Sequence, residues 1–280
     1  MKHLTEPRPP YGEPEAIAPG IRRIVAPNPG PMTYHGTNTW LVEAYGGTVV
    51  VDPGPEDPAH IAAIVQAAGR VAAILLTHTH RDHTQGVPAL RQATGASAWG
   101  FGPHRLFGEG HEGGDPDFVP DALIADGDTR FGLTALHTPG HCGTHLCFAR
   151  DDGVLLSGDH VMAWSTTVVS PPDGDMAAYM AALDRLLARD DTLYLPGHGP
   201  ALPDPAGYVR DLKDHRKRRE AAILAALEAG PADIPAIVRR VYPALEPALV
   251  RPAGRSALSH LLMLEQEGRV RREGETWLLP

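Results

Sequence analysis

Four side chains able to hold a metal ion, His78, His80, Asp82 and His83, fall within six consecutive positions of Thr77-His-Thr-His-Arg-Asp-His-Thr-Gln-Gly86. Imidazole and carboxylate are the donors that Zn²⁺ and similar borderline first-row cations take when no thiolate is offered. The cluster directly follows residues 71–76, an aliphatic run of the length of one buried strand, so it sits on the loop leaving that strand.

Further candidates follow other apolar runs: Asp52 after Val-Val-Val, His141 in Thr-Pro-Gly-His, Asp159 in Ser-Gly-Asp, and His198 in Pro-Gly-His-Gly. Strand ends on one edge of a sandwich converge, and adjacent Gly and Pro let the chain turn tightly enough to aim a side chain inwards. Two sites can then be filled, one by His78, His80 and His141 and one by Asp82, His83 and His198, with Asp159 bridging them. Three or four protein ligands per ion plus a shared water is an open, catalytic arrangement. A pair of cations about 3.5 to 4 Å apart brings the pKa of that water towards roughly 7 and makes hydroxide available at neutral pH. Asp82 and Asp159 are the catalytic carboxylates of this reading. Neither a Gly-x-Ser-x-Gly elbow nor a Gly-x-x-x-x-Gly-Lys phosphate loop is present to compete with it.

The elements that must position these residues are short. Strands are expected at 21–26, 38–43, 48–52, 71–76, 96–99, 123–124, 130–137, 145–149, 154–157 and 192–195, and helices at 59–68, 87–94 and 176–188. The order suggests two similar halves, each a sheet covered by helices on one face, packed as a four-layer sandwich. Residues 100–120, rich in Gly and Pro, read as a lid or a mobile excursion, and His104 and His111 within them as solvated loop histidines. After Asp204 the texture turns to Ala, Leu, Arg and Glu. A helical side traced from Tyr208 to Leu227 and ended by Gly230 and Pro231, helical patterns at 234–241 and 255–267, and a hairpin around Gly274 outline a winged helix. The expected division is a proline-rich lead at 1–20, a catalytic unit at 21–204 and a winged-helix-like unit at 205–280.

The 280 residues suffice for a substantial core, and no run approaches the roughly 20 apolar residues of a membrane helix. Met1 to Gly20 has no apolar centre for a signal peptide, so the expected address is cytoplasmic. Cys142 and Cys147, the only cysteines, read as small buried residues. The net charge of −9 is uneven: residues 1–205 carry 12 Lys and Arg against 24 Asp and Glu, and residues 206–280 carry 13 against 10. An acidic body repels phosphate, so nucleic acid would need the tail or the metals. Lys213, Arg216, Lys217, Arg218 and Arg219, with Arg269, Arg271 and Arg272, are the best case for such binding; the first run reads better as a solvated helix face. The apolar segment 256–265 is expected to pack on the body or on a second copy, giving a homodimer.

His78-Thr-His-Arg-Asp82-His83, Thr138-Pro-Gly-His141, Ser157-Gly-Asp159 and Pro196-Gly-His198-Gly resemble, in order and context, the motifs of the metallo-β-lactamase superfamily. The resemblance implies an α/β class chain with the αββα four-layer fold and the same seven ligands. It also implies that Asp52 braces the metal loop from behind. Asn28-Pro-Gly-Pro, Gly36-Thr-Asn-Thr, Trp164-Ser-Thr-Thr, Pro171-Pro-Asp-Gly and the C-terminal winged helix are similar to the lactamase-beta-like branch, and on that basis Trp164 and Thr166 line the substrate cleft. His145 reads as a partner behind the ligands or as strand packing, and His160 and His260 as residues without a role in the pocket. The expected function is a binuclear zinc hydrolase, with another first-row divalent metal as the variant cofactor. Its bridging hydroxide attacks a small acyl substrate: a thioester, lactone or lactam. The alternatives are an endoribonuclease on single-stranded RNA and a nucleic-acid-binding winged-helix protein with a secondary metal site.

Overall fold

The computed structural model describes residues 1–108 and 114–280, so His111 lies outside the described residues. Two mixed sheets form the body. The first has seven strands in the order β1 to β7: Glu15–Ala18, Ile21–Val25, Asn38–Ala44, Gly47–Val51, Val71–Leu75, Ala98–Gly100 and Ala122–Leu123. The second has six, β8 Thr129–Arg130, β9 Leu133–His137, β10 Leu146–Ala149, β11 Val154–Gly158, β12 Leu193–Pro196 and β13 Leu202–Pro203, ordered β13-β12-β11-β10-β9-β8.

Alternation along the strands builds the layers. Val49 and Val51 of β4 point between the sheets with Trp40, Leu146, Phe148 and Leu195, whereas Val50 points to the outer face. On that outer face it meets Ile61 and Ile64 of helix α1 (Pro58–Ala68) and Leu90 of α3 (Val87–Thr94). Behind the second sheet, Tyr179, Leu183 and Leu186 of α4 (Met176–Leu187) pack on Leu155 and Tyr194. The result is the expected α/β four-layer sandwich.

Helix α5 (Pro205–Glu228) joins the body to the C-terminal unit. Its Tyr208, Val209 and Leu212 lie in the core over α4, and its Ile223 and Leu227 lie in a separate core. That second core is completed by Ile237 and Val238 of α6 (Ile234–Val241), Leu261 and Leu264 of α7 (Pro247–Gln266), and Trp277 from the hairpin β14 (Arg271–Glu273) and β15 (Thr276–Leu278). Three helices and a hairpin form the winged helix.

Three expectations are corrected. Residues 130–137 are a hairpin, because Phe131 (φ 55°) and Gly132 (φ 80°) turn the chain between β8 and β9. Helix α7 starts at Pro247 and not at Arg255, and it runs through Pro252, where only one helical N–H is lost. The lead at 1–20 packs on the body. Its β1 pairs with β2, and buried Arg23 holds Glu6 with two hydrogen bonds (2.8 and 2.9 Å) and Glu15 with a third (2.7 Å). Finally, β13 follows the strand expected to be last.

Candidate metal centre

Strand ends from both sheets meet at one rim. Asp52 follows β4, Thr77 to His83 follow β5, His141 follows β9, Asp159 follows β11 and His198 follows β12. The segment after β5 is not wholly a loop, since Arg81–Thr84 form a one-turn helix, α2, which places Asp82 and His83. The sheets are stitched together here. Asn38 donates through its backbone to the Gly197 carbonyl (2.7 Å) and through Nδ2 to the carbonyls of Pro196 (2.9 Å) and Gly199 (2.8 Å). Gly197 itself must be glycine: a Cβ there would lie 2.3 Å from Asp159 Oδ1 and 2.8 Å from His83 Cε1.

The Nε2 atoms of His78 and His141 each lie 3.0 Å from Nδ1 of His80. Two donors about 2.0–2.1 Å from a tetrahedral ion are separated by roughly 3.3 Å, so this spacing is close to that of ligands around one centre. On the other side, Asp82 Oδ2 lies 3.2 Å from His198 Nε2 and 3.6 Å from His83 Nε2. Asp159 stands between: Oδ2 is 3.4 Å from His198 Nε2 and 3.7 Å from His141 Nε2, and Oδ1 is 3.8 Å from His83 Nε2. All seven candidate ligands are thus brought together.

The rear atoms of the five imidazoles set which nitrogen faces the centre. His83 Nδ1 lies 2.9 Å from Asp52 Oδ2, His141 Nδ1 2.7 Å from the Val168 carbonyl, and His198 Nδ1 3.2 Å from the Gly36 carbonyl. His78 Nδ1 lies 2.9 Å from Thr77 Oγ1, whose own proton goes to Asp52 Oδ2 (2.6 Å). His80 is reversed, with Nε2 against Asp173 Oδ2 at 2.5 Å and Nδ1 facing the centre. In the neutral ring each outward N–H donation leaves the inward nitrogen with a lone pair, the form in which a histidine ligates a cation. His83 Nε2 and Asp159 Oδ1 are buried without any hydrogen-bond partner. Buried polar atoms are almost always satisfied, and two orphans on one shared space are what a cation would complete. The residues fit a divalent metal site.

The electrostatics divide the site. Burial, reinforced by neighbouring imidazoles, holds His78 well below the usual histidine range and His141 at about 4, so both are neutral. Burial also opposes charge on His83 and His198, but carboxylates prevail. Asp82, Asp52 and Asp159 raise His83 to about 9, and Asp159 and Asp82 raise His198 well above its ordinary value. Asp82 and Asp159, despite burial, are held below the ordinary carboxylate range by His83 and His198.

Asp52 spans the metal loop, accepting from the Thr77 N–H (2.8 Å) as well as from His83. His145 accepts the Asp159 N–H at Nε2 (3.1 Å) and stacks on His78 with ring centres 5.2 Å apart. Sequence reasoning missed Asp173 as a site residue, although its Pro-Pro-Asp-Gly segment was in view. His104 is not solvated: Nδ1 meets Thr79 Oγ1 at 2.8 Å, and Nε2 lies 3.5 Å from Asp173 Oδ1. Cys142 lies near His80 and Asp173, and burial pushes its thiol up to about 12, so it stays protonated. His160 and His260 are buried away from the cavity over the metal edge.

That cavity, about 560 Å³, is lined by Thr166 but not by Trp164, which instead stacks on Tyr34 at 5.0 Å. Its walls are Met32, Met162, Val168 and Val169 from the body, with Arg216 of α5 and Arg251 and Arg255 of α7 closing the far side. The C-terminal unit therefore packs on the body. Arg255 ties the two together through Ser170 Oγ and the Pro171 carbonyl (2.6 Å). The residues that made the best case for nucleic-acid binding are partly engaged within the chain. Lys213 pairs with Asp184, Arg269 with Glu220 and Glu267, and Arg271 with Glu273, while Arg216 is buried. Among the described residues no helix is long and apolar enough to cross a membrane.

Residues 32–198 match the sequence model of the metallo-beta-lactamase superfamily, and residues 234–277 that of the beta-lactamase associated winged helix domain. An atrochrysone carboxyl ACP thioesterase of Claviceps purpurea is 30% identical over 233 residues, covering 81% of this chain and 71% of that protein. The beta-lactamase-like protein 2 homolog of Drosophila melanogaster is 29% identical over 277 residues, 91% of each chain. A beta-lactamase domain protein from Burkholderia ambifaria shares the fold, with a TM-score of 0.82 at 24% identity over 97% of this chain and 95% of that one.

Proposed function

The chain belongs to the metallo-β-lactamase superfamily of hydrolases, and from that premise we propose that it is a binuclear zinc-dependent thioesterase acting on a small acyl substrate. The observation that carries this reading is the convergence of seven donors on one rim, two of them buried and otherwise unpartnered. His78, His80 and His141 would hold one ion and Asp82, His83 and His198 the other, with Asp159 standing between the two groups. Zinc suits an all nitrogen and oxygen donor set with an open position.

A pair of cations bound there would supply Lewis acidity at the acyl carbonyl and would bring the pKa of a water towards roughly 7. The chain does the rest. Asp82, whose side chain is 30% exposed to the cavity, directs Oδ2 at the histidines and leaves Oδ1 to accept the hydrogen of the attacking water. Hydrolysis forms a carbon–oxygen bond and breaks the carbon–sulfur bond, and the water's proton leaves with the thiol. Asp52, Asp173 and His145 keep the ligand rings and Asp159 in place. Met32, Met162, Val168 and Val169 give the acyl chain an apolar wall and keep bulk water off the carbonyl.

A thioester is favoured over lactone and lactam by the thioesterase relative. It is favoured over RNA by the apolar cavity and by the ion pairs that engage Lys213, Arg269 and Arg271. The catalytic unit spans residues 21–204, and the unit at 205–280 acts by closing the cavity. Cys142 and Cys147 are unpaired and buried, which suits a reducing cytoplasm.

The test is one metal-loaded preparation offered N-acetylcysteamine thioesters, a lactone, a β-lactam and single-stranded RNA. Thiol release from the thioesters as the fastest reaction is expected. Cleavage of the RNA or the lactam without thioester turnover overturns the reading.

A further inference from the structure

Arg216 is 5% exposed yet lines the cavity over the metal edge. A guanidinium is charged at every accessible pH, and moving it out of water is costly unless an anion or a full set of acceptors receives it. Here the set is incomplete. One nitrogen donates to the Thr167 carbonyl, the guanidinium also donates to the Tyr179 hydroxyl, and Cζ lies 5.4 Å over the Tyr179 ring. Nε is buried with no partner, and among the described residues Arg216 forms no ion pair.

The other charges do not answer it. Asp82, Asp159 and Asp173, the carboxylates lining the cavity, are engaged by His198, His83, His141, His80 and His104. His215 and His260, the titratable neighbours of Arg216 on α5 and α7, are held neutral, with burial as the first cause. A buried cation in the wall of a substrate cavity, with no acid of its own, is matched by an anion that arrives with the substrate.

We propose that Arg216 binds an anionic group on the acyl chain, so that the preferred substrates are acyl thioesters bearing a carboxylate. This deepens the thioesterase reading and rests on it. The acyl chain is preferred to the carrier as the source of the anion because Arg216 is buried. A charged carrier extending to solvent would meet exposed Arg251 at the same cavity instead. Arg216 is then a specificity-determining residue, paired with the substrate's carboxylate by charge-assisted hydrogen bonds, each worth about one to two powers of ten in selectivity.

The test compares glutaryl and pentanoyl thioesters of N-acetylcysteamine, which have the same chain length and differ in the terminal carboxylate. The wild-type protein is expected to favour the glutaryl thioester at least tenfold in kcat/KM, mainly through KM. Arg216→Met should bring that ratio close to one, and Arg216→Lys should retain part of it. Should either variant fail to fold, inhibition of the wild-type protein decides, with glutarate expected to inhibit at least tenfold more tightly than pentanoate. A second arm compares pentanoyl-pantetheine with its 4′-phosphorylated form. An Arg216-dependent preference for the phosphate and none for glutaryl overturns the acyl assignment. Equal turnover of glutaryl and pentanoyl thioesters with equal inhibition overturns the inference and leaves the thioesterase reading intact. Turnover of neither thioester takes both down.

Discussion

Oδ2 of Asp52 lies 2.9 Å from Nδ1 of His83, and both side chains are buried. Asp52 accepts the Nδ1–H of His83, and His83 is thereby made to present Nε2, an atom with no hydrogen-bond partner. Replacing Asp52 with Asn puts an N–H where a proton must be accepted and turns the His83 proton towards the metal centre. Asp52→Asn is expected to lower metal affinity about 10- to 100-fold, measured by competition with a chromophoric chelator. Wild-type affinity in the variant would remove Asp52 from this role.

Asp173 does for His80 what Asp52 does for His83, but from the opposite wall and through the other ring nitrogen. Asp173→Asn should weaken loading of the three-histidine half by about 10- to 100-fold and leave the Asp82 half loaded. Cobalt substitution reads this out, since the visible spectrum of a three-nitrogen site differs from that of a carboxylate-rich one. Equal loss from both halves would contradict the division of roles.

The two halves should also respond differently to pH. His83 (about 9) and His198 are protonated near neutrality in the metal-free protein, whereas His78 and His141 (about 4) are not. A cation entering the Asp82, His83, His198 half must displace two protons, so its apparent affinity falls about a hundredfold for each pH unit below roughly 9. Dialysis at pH 8 should leave two equivalents per chain and dialysis at pH 6 close to one. Calorimetric titration in buffers of different ionisation enthalpy should count the released protons, and finding none would refute the assignment.

Much of this site was legible because its residues lie in contiguous motifs directly after apolar strands, where the turn residues announce a change of direction. Asp173 was not, since it sits in an irregular segment and reaches His80 only through tertiary contact. Arg216 was read as one of a solvated basic run. Yet Tyr208, Leu212 and Arg216 recur at intervals of four, the spacing of one helical face, and that face is the buried one. The hairpin at residues 130–137 was read as one strand because Phe131 is apolar and masks the turn that Gly132 makes. Trp164 was placed by resemblance alone, and its ring packs on Tyr34 beside the cavity.

Away from the metals, His60 offers a separate pH test. It is 2% exposed, its Nε2 meets Thr39 Oγ1 at 2.9 Å, and burial lowers it from 6.5 to about 4. The folded state prefers the neutral ring. The associated stability is fully present above pH 6.5 and is lost as pH falls towards 4, amounting to about 2 kcal/mol at pH 5. In urea titrations of metal-free protein, His60→Gln should reduce the stability difference between pH 7 and pH 5 by about that amount. An unchanged difference would show that His60 is not the group responsible.

The central claim is that residues from both sheets hold two cations that make one reactive site. It is tested most directly by elemental analysis and thiol release on the same samples of wild type, His83→Ala and His141→Ala. Wild type should carry two metal equivalents per chain and hydrolyse an acyl thioester. Each variant should lose about one equivalent, from opposite halves, and lose thiol release by at least about a hundredfold, the scale of removing a transition-state contact. Fewer than one equivalent in wild type, or thiol release that persists after the metals are stripped, would contradict the account.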